Sequence, residues 1–234
     1  MRSASSADRT GCERPPASVR RLAVLVGLAF AIGCGGDGPT EPAGPPALLE
    51  KSDGDGQDWY FSNPLPVAYS VAVRDANGRG VPGVSVTWAV TSGGGSVDPA
   101  ASVTNGDGIA ATTHTLGATE VSHTVTANAA SLPEVVFSAS ASTPPTSAAV
   151  TVGDPTFFSP KNVVVQVGGT VTWTWGPTVI TDHNVTYVSG PTPRPANSAT
   201  KDSGTHSNTI TVAGLYQYVC NIHGGMDGTV RVVN

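Results

Sequence analysis

The chain of 234 residues is 39% hydrophobic and only 12% charged, which allows one or two packed domains. Its formal net charge is −5, and without the first 34 residues 7 Lys and Arg face 15 Asp and Glu, a formal −8. That balance excludes the basic footprint which nucleic-acid binding needs, and it permits steering towards a basic partner. Leu is scarce while Val, Thr, Ser, Gly and Pro abound, so strands and turns are favoured and an all-β protein is predicted.

At the start of the chain Arg14, Arg20 and Arg21 precede an apolar run over 22–32, followed by Gly33-Cys34-Gly35-Gly36. Eleven residues are too few for a permanent membrane span but fit the core of an export signal. The ending Ala31-Ile32-Gly33-Cys34 resembles a bacterial lipoprotein cleavage box. That resemblance implies a signal peptide over 1–34, a lipid on Cys34 and a mature chain held at a membrane, in the periplasm or on the cell surface. Residues 35–48, rich in Gly and Pro, read as a tether, and 142–147 as a second, shorter linker. Of the three cysteines, Cys12 and Cys34 belong to the leader, which leaves Cys220 as the one thiol of the mature body and excludes an internal disulfide there. A lone exported thiol resists oxidation when buried or ligated.

The first module, 49–141, alternates with period 2. Val84, Val86, Trp88 and Val90 face one way and Ser85, Thr87, Ala89 and Thr91 the other. Asn77-Gly78 and Asn105-Gly106-Asp107-Gly108 mark turns, and Val121, Val125 and Ala127, then Val135 and Phe137, supply later strands of a sandwich. The stretch from Val71 to Trp88 with Thr104-Asn-Gly-Asp-Gly-Ile-Ala110 resembles bacterial immunoglobulin-like domains of the invasin and intimin type. The resemblance implies a spacer or adhesion module without chemistry of its own. His114 and His123 lie on predicted strands with no Cys or Met nearby and read as structural.

The second module, 148–234, alternates at Val163, Val165 and Val167, turns at Gly168-Gly169, and alternates again with Val171, Trp173 and Trp175 on one face. Val185 and Tyr187 continue from His183, and Tyr216, Tyr218 and Cys220 share one face of a strand that enters a short loop. On that loop stand Cys220-Asn-Ile-His223-Gly-Gly-Met226. A thiolate, two imidazoles (His183 and His223) and a thioether form the set that suits a blue-copper centre, with three near-equatorial donors and a weak axial one. Structural zinc sites collect more thiolates and rarely use thioether. His206, in Gly204-Thr-His-Ser207, is expected to be solvent-exposed, and the tryptophans to be core.

The run from Phe158 to Trp173, then His183-Asn184, then Gly214 to Val232 resembles the cupredoxins of the plastocyanin and amicyanin kind. The resemblance implies a Greek-key sandwich binding one type 1 copper through His183, Cys220, His223 and axial Met226, with Asn184 hydrogen-bonding near the thiolate. It also implies single-electron transfer with a cytochrome or another copper protein. Copper carriage or storage shares these ligands, and an adhesion or spacer protein is the further alternative. Copper oxidases and nitrite reductases need extra histidines, including His on both sides of the Cys. Here Val219 and Asn221 flank Cys220 and the chain has five His, so an electron-transfer protein is expected rather than an enzyme.

Overall fold

The computed structural model describes residues 42–129 and 131–234. The leader, with Cys34, therefore lies outside the described residues, as does the first half of the expected tether. Among the described residues there are strands and no helix. The first sandwich contains β1 (Leu48–Asp53), β2 (Gln57–Tyr60), β3 (Tyr69–Arg74), β4 (Ser85–Ser92), β5 (Gly95–Asp98), β6 (Ala101–Val103), β7 (Ile109–Leu116), β8 (Ser122–Ala129) and β9 (Val135–Ser142). They form two sheets, in the spatial orders β1-β3-β7-β5 and β2-β9-β8-β4-β6.

The alternation predicted over 84–91 closes this core. Val86 and Trp88 are buried, and they pack with Tyr69, Val71, Leu116, Val125 and Phe137. Val121 departs from expectation: it lies just before β8, outside the paired register, and is 60% exposed. His114 and His123 stand on β7 and β8 as expected. Both are fully buried, with their rings 5.6 Å apart.

The second sandwich holds β10 (Ser147–Gly153), β11 (Phe157–Ser159), β12 (Asn162–Gln166), β13 (Gly169–Trp175), β14 (Thr186–Ser189), β15 (Thr205–Ile210), β16 (Gly214–Val219) and β17 (Asp227–Val233). Its sheets are ordered β11-β10-β13-β15 and β12-β17-β16-β14. Two pairings are parallel, β10 with β13 and β12 with β17, which requires crossovers between the sheets. Val171, Trp173 and Trp175 point inward from β13, and Tyr216 and Tyr218 from β16, into one core that also receives Cys220 and Met226. Trp173 meets Tyr218 edge-on at 5.3 Å and Tyr187 at 6.1 Å, the geometry that aromatic quadrupoles prefer.

Residues 42–234 make one compact unit. Between β9 and β10 the chain is tied to the second sandwich, because the Gln166 amide donates to the Pro145 carbonyl and the Thr170 amide to that of Thr146. At the near end Gly44 and Ala47 donate to Asp75 and Arg74 of the first sandwich.

Candidate metal centre

Three short segments meet at one end of the second sandwich. Cys220 follows β16 directly and Met226 directly precedes β17, so a single antiparallel pair delivers both sulfur residues. The loop between them is closed by the Cys220 amide donating to the Met226 carbonyl at 2.9 Å. Gly225 has φ +80°, a left-handed conformation that a glycine adopts without strain. On the other side, His183 forms an isolated antiparallel bridge with Lys201, through main-chain bonds of 2.8 and 3.0 Å in both directions. The Lys201 ammonium lies 4.5 Å above the Trp175 ring, which holds that bridge against the core.

The donor atoms converge. Nδ1 of His223 lies 3.0 Å from Nδ1 of His183, and Sγ of Cys220 lies 3.5 Å from the first and 3.9 Å from the second. All three lie within 4.8 Å of one another, the only such cluster of His, Cys, Asp and Glu among the described residues. Donors so spaced suit one first-row ion with bonds of about 2.0–2.3 Å. His183, Cys220 and Met226 are buried at 0%, 3% and 2% exposure, while His223 is half-buried and forms the site's edge towards solvent. Met226 joins the same hydrophobic cluster as Cys220.

The tautomer of His183 follows from its neighbours. Nε2 lies 2.9 Å from Oδ1 of Asp154 and 3.0 Å from Oγ1 of Thr181, whose hydroxyl itself donates to Asp154. An ionised carboxylate only accepts, so Nε2 carries a proton, and in the neutral ring Nδ1 then turns a lone pair towards the thiol. Asp154 also accepts from the Ile180 amide at 2.6 Å. The Thr181 hydroxyl first, then His183 and the Ile180 amide, hold its carboxyl well below the usual carboxylate range.

Asn184 links the two ligand-bearing segments. Its Nδ2 donates to Oδ1 of Asn221 at 2.6 Å and to Oγ1 of Thr200 at 3.0 Å, while its Oδ1 accepts the Asn221 amide at 3.0 Å. It therefore grips the residue next to Cys220. Asp154, Thr181 and Thr200 were not singled out in the sequence, and Asn221 was noted only as a neighbour of Cys220. No local spacing marks the first three, and Asp154 lies on a turn 29 positions before His183.

His206 corrects an expectation. It is not on an exposed loop but on β15, half-buried, with its ring 6.0 Å from Trp173 and Nε2 lying 2.9 Å from Asn208 Nδ2 and 3.1 Å from the Ala196 carbonyl oxygen. Antiparallel pairing with β13 places His206 opposite Trp173, which removes it from the metal end.

The sequence that builds this site matches a known family. Residues 145–233 match the model of copper-binding proteins of the plastocyanin/azurin family. The second sandwich is a cupredoxin domain. Residues 65–135 match the model of the group 1 bacterial Ig-like domain, so the two β-sandwich domains are immunoglobulin-like and then cupredoxin. Similar solved structures include a purple cupredoxin from Nitrosopumilus maritimus, at 28% identity over 36% of this chain and 98% of that one, with a TM-score of 0.30. A reduced Cu(I) form of an amicyanin variant is 31% identical over 37% of this chain and 81% of its own, with a TM-score of 0.32. The plastocyanin of Dryopteris crassirhizoma is 25% identical over 36% and 98%, with a TM-score of 0.30. No curated protein matches the chain.

The chemistry of the residues fits the family's metal. One soft thiol, two imidazoles with Nδ1 turned inward and a buried thioether on the thiol's own loop are a copper-binding set. His183, Cys220, His223 and Met226 are the residues positioned to hold one copper ion.

Proposed function

We propose that this protein is a blue copper electron carrier which works outside the cytoplasm and exchanges single electrons with redox proteins. The carrying observation is the convergence of two imidazole nitrogens and a thiol within 3.0–3.9 Å on a scaffold that already fixes each of them. Bound copper would supply the one-electron couple. The protein's part is to keep the donors still while the charge changes, because little movement means a low barrier to electron exchange. The His183–Lys201 bridge, the Asn184–Asn221 grip and the Cys220–Met226 closure each remove a degree of freedom from a ligand.

Electrons would enter and leave at the exposed edge of the site. His223 is the ligand at the edge, its neighbour Ile222 is 50% exposed, and Ile180, three residues before His183, is 86% exposed. Exposed aliphatic side chains beside a ligand suit a short-lived contact with a cytochrome or another copper protein. The leader and the Cys34 motif support export and lipid tethering to a membrane, with the Ig-like domain as spacer.

Loading the purified protein with Cu(II) is expected to give an intense visible thiolate-to-copper charge-transfer band. Cys220→Ser is expected to abolish it without unfolding the sandwich. A fully loaded but colourless native protein rules the reading out. A blue protein that exchanges electrons sluggishly with every cytochrome tested points to copper carriage instead.

A further inference from the structure

We infer that Asp154 is a positioning residue for the copper centre: it holds His183 with Nδ1 turned to the metal and, as an anion behind a buried ligand, favours the oxidised state. The inference rests on the blue-copper reading and deepens it by naming what tunes the site.

Asp154 sits on the turn between β10 and β11, away from the segment that carries His183. The turn is tightly built. A Cβ on Gly153 would meet the Phe157 ring at 2.2 Å, so only glycine lets that ring lie across the hairpin. From there the carboxylate receives three donors from a single stretch of chain: the Ile180 amide on Oδ2, and the Thr181 hydroxyl and His183 Nε2–H on Oδ1. His183 is fully buried and the Asp154 carboxylate 21% exposed, so the interaction reaches a desolvated ring and is only partly screened by water.

Two consequences follow, one geometric and one electrostatic. Geometrically, the carboxylate accepts only from a protonated Nε2, which in the neutral ring, the form that can ligate a metal, leaves Nδ1 free of hydrogen and pointed at Cys220 and His223. Electrostatically, the oxidised centre carries one more positive charge than the reduced one, so a fixed anion behind its ligand stabilises it more. Reduction takes one electron from a reduced redox protein, which is left oxidised by one electron. The Nε2 proton stays where it is, and no bond between protein atoms forms or breaks. Removing the negative charge is therefore expected to shift the balance towards the reduced form and raise the reduction potential.

The test uses Asp154→Asn, which keeps an oxygen acceptor and removes the charge, and Asp154→Ala, which removes both. Asp107→Asn, in a turn of the first sandwich, controls for net charge alone. In spectroelectrochemistry on the copper-loaded chain, Asp154→Asn is expected to keep the visible band. It should shift the equilibrium with a reference couple about tenfold towards reduction, about 59 mV for one electron. Asp107→Asn should leave the potential in place. Asp154→Ala is expected to lose about 10–100-fold in copper affinity. In the metal-free protein, nitrogen-15 spectra of the histidines should show a single Nε2–H tautomer for His183 in the native chain and a mixture in Asp154→Ala. Unchanged potential in Asp154→Asn overturns the electrostatic role, and unchanged affinity and tautomer in Asp154→Ala overturn the positioning role. A native protein that binds copper without the visible band defeats the electron-carrier reading instead. The affinity and tautomer measurements still decide the positioning role in that case.

Discussion

Asn184 shows how one buried side chain holds a metal loop that it does not ligate. It is 3% exposed and has both ends of its amide engaged, donating to Asn221 and Thr200 and accepting from the Asn221 amide and the Thr186 hydroxyl. Asn184→Ala leaves the main-chain N–H next to Cys220 without its acceptor, at a cost of about 1–3 kcal/mol where that group cannot reach water. Copper affinity is expected to fall about 10–100-fold, as read by competition with a chelator of known strength. Affinity equal to the native protein's would show that Asn221 finds another acceptor. The same residue illustrates what sequence conveys at this scale. Asn184 follows a ligand and is marked by position, whereas Asp154 and Thr181 act through space, and nothing in their spacing announces it.

At the scale of elements, the inward alternations were readable because both faces of a strand differ in chemistry. Val171, Trp173 and Trp175 on β13 and Tyr216 and Tyr218 on β16 all point into the core, and the strand phase carries Cys220 inward as well. The loop from Cys220 to Met226 was readable because the soft ligands are crowded into it. Strand ends and pairing partners were less readable, since they depend on register: Val121 falls outside β8, and His206 is half-buried because β15 pairs with β13. The Ig-like core holds another feature that alternation alone predicts only in outline. His114 and His123 face each other, with Tyr69 5.8 Å from His114, and neither nitrogen of His123 nor Nδ1 of His114 finds a hydrogen-bond partner. Burial, chiefly, and the neighbouring His123 depress the His114 pKa, although a contact with the Gly94 carbonyl works the other way.

The sign of the stability effect is then fixed. Between the depressed folded value and the unfolded value of about 6.5, the unfolded chain binds more protons, so stability rises with pH. The contribution is full above about pH 6.5 and is lost as pH falls below it through the folded value. Denaturant titrations of the metal-free chain at pH 7.5 and 5 are expected to show this loss. His114→Phe should flatten it, and an unaltered slope in that variant would assign the acid sensitivity elsewhere.

For the whole chain, the contact between the two sandwiches carries the main mechanical consequence. Asn63, 4% exposed in the first sandwich, donates to the Asn234 carbonyl at 2.9 Å and accepts the Asn234 amide at 3.0 Å, just past the end of β17. Trp59, Pro66, Ala213 and Arg231 line the cleft beside it. A ligand that binds only the folded state stabilises whatever unfolds together with its site. Copper loading is therefore expected to raise the melting of both sandwiches in a single calorimetric transition. Asn63→Ala should split it into two, with only the later domain responding to the metal. Two independent transitions in the native protein would mean that the amide pair does not couple them.

The strands themselves set the direction in which the metal faces. β10 leaves the junction at Ser147 and reaches Asp154 after seven residues, about 23 Å at some 3.3 Å each. β17 starts beside Met226 and ends beside Asn63's partner, so it covers the same span in the opposite sense. The copper pole and the junction are thus opposite ends of one barrel-length stave. His223 marks the solvent edge of the copper pole, and the Asn63–Asn234 amide pair marks the junction at the other end.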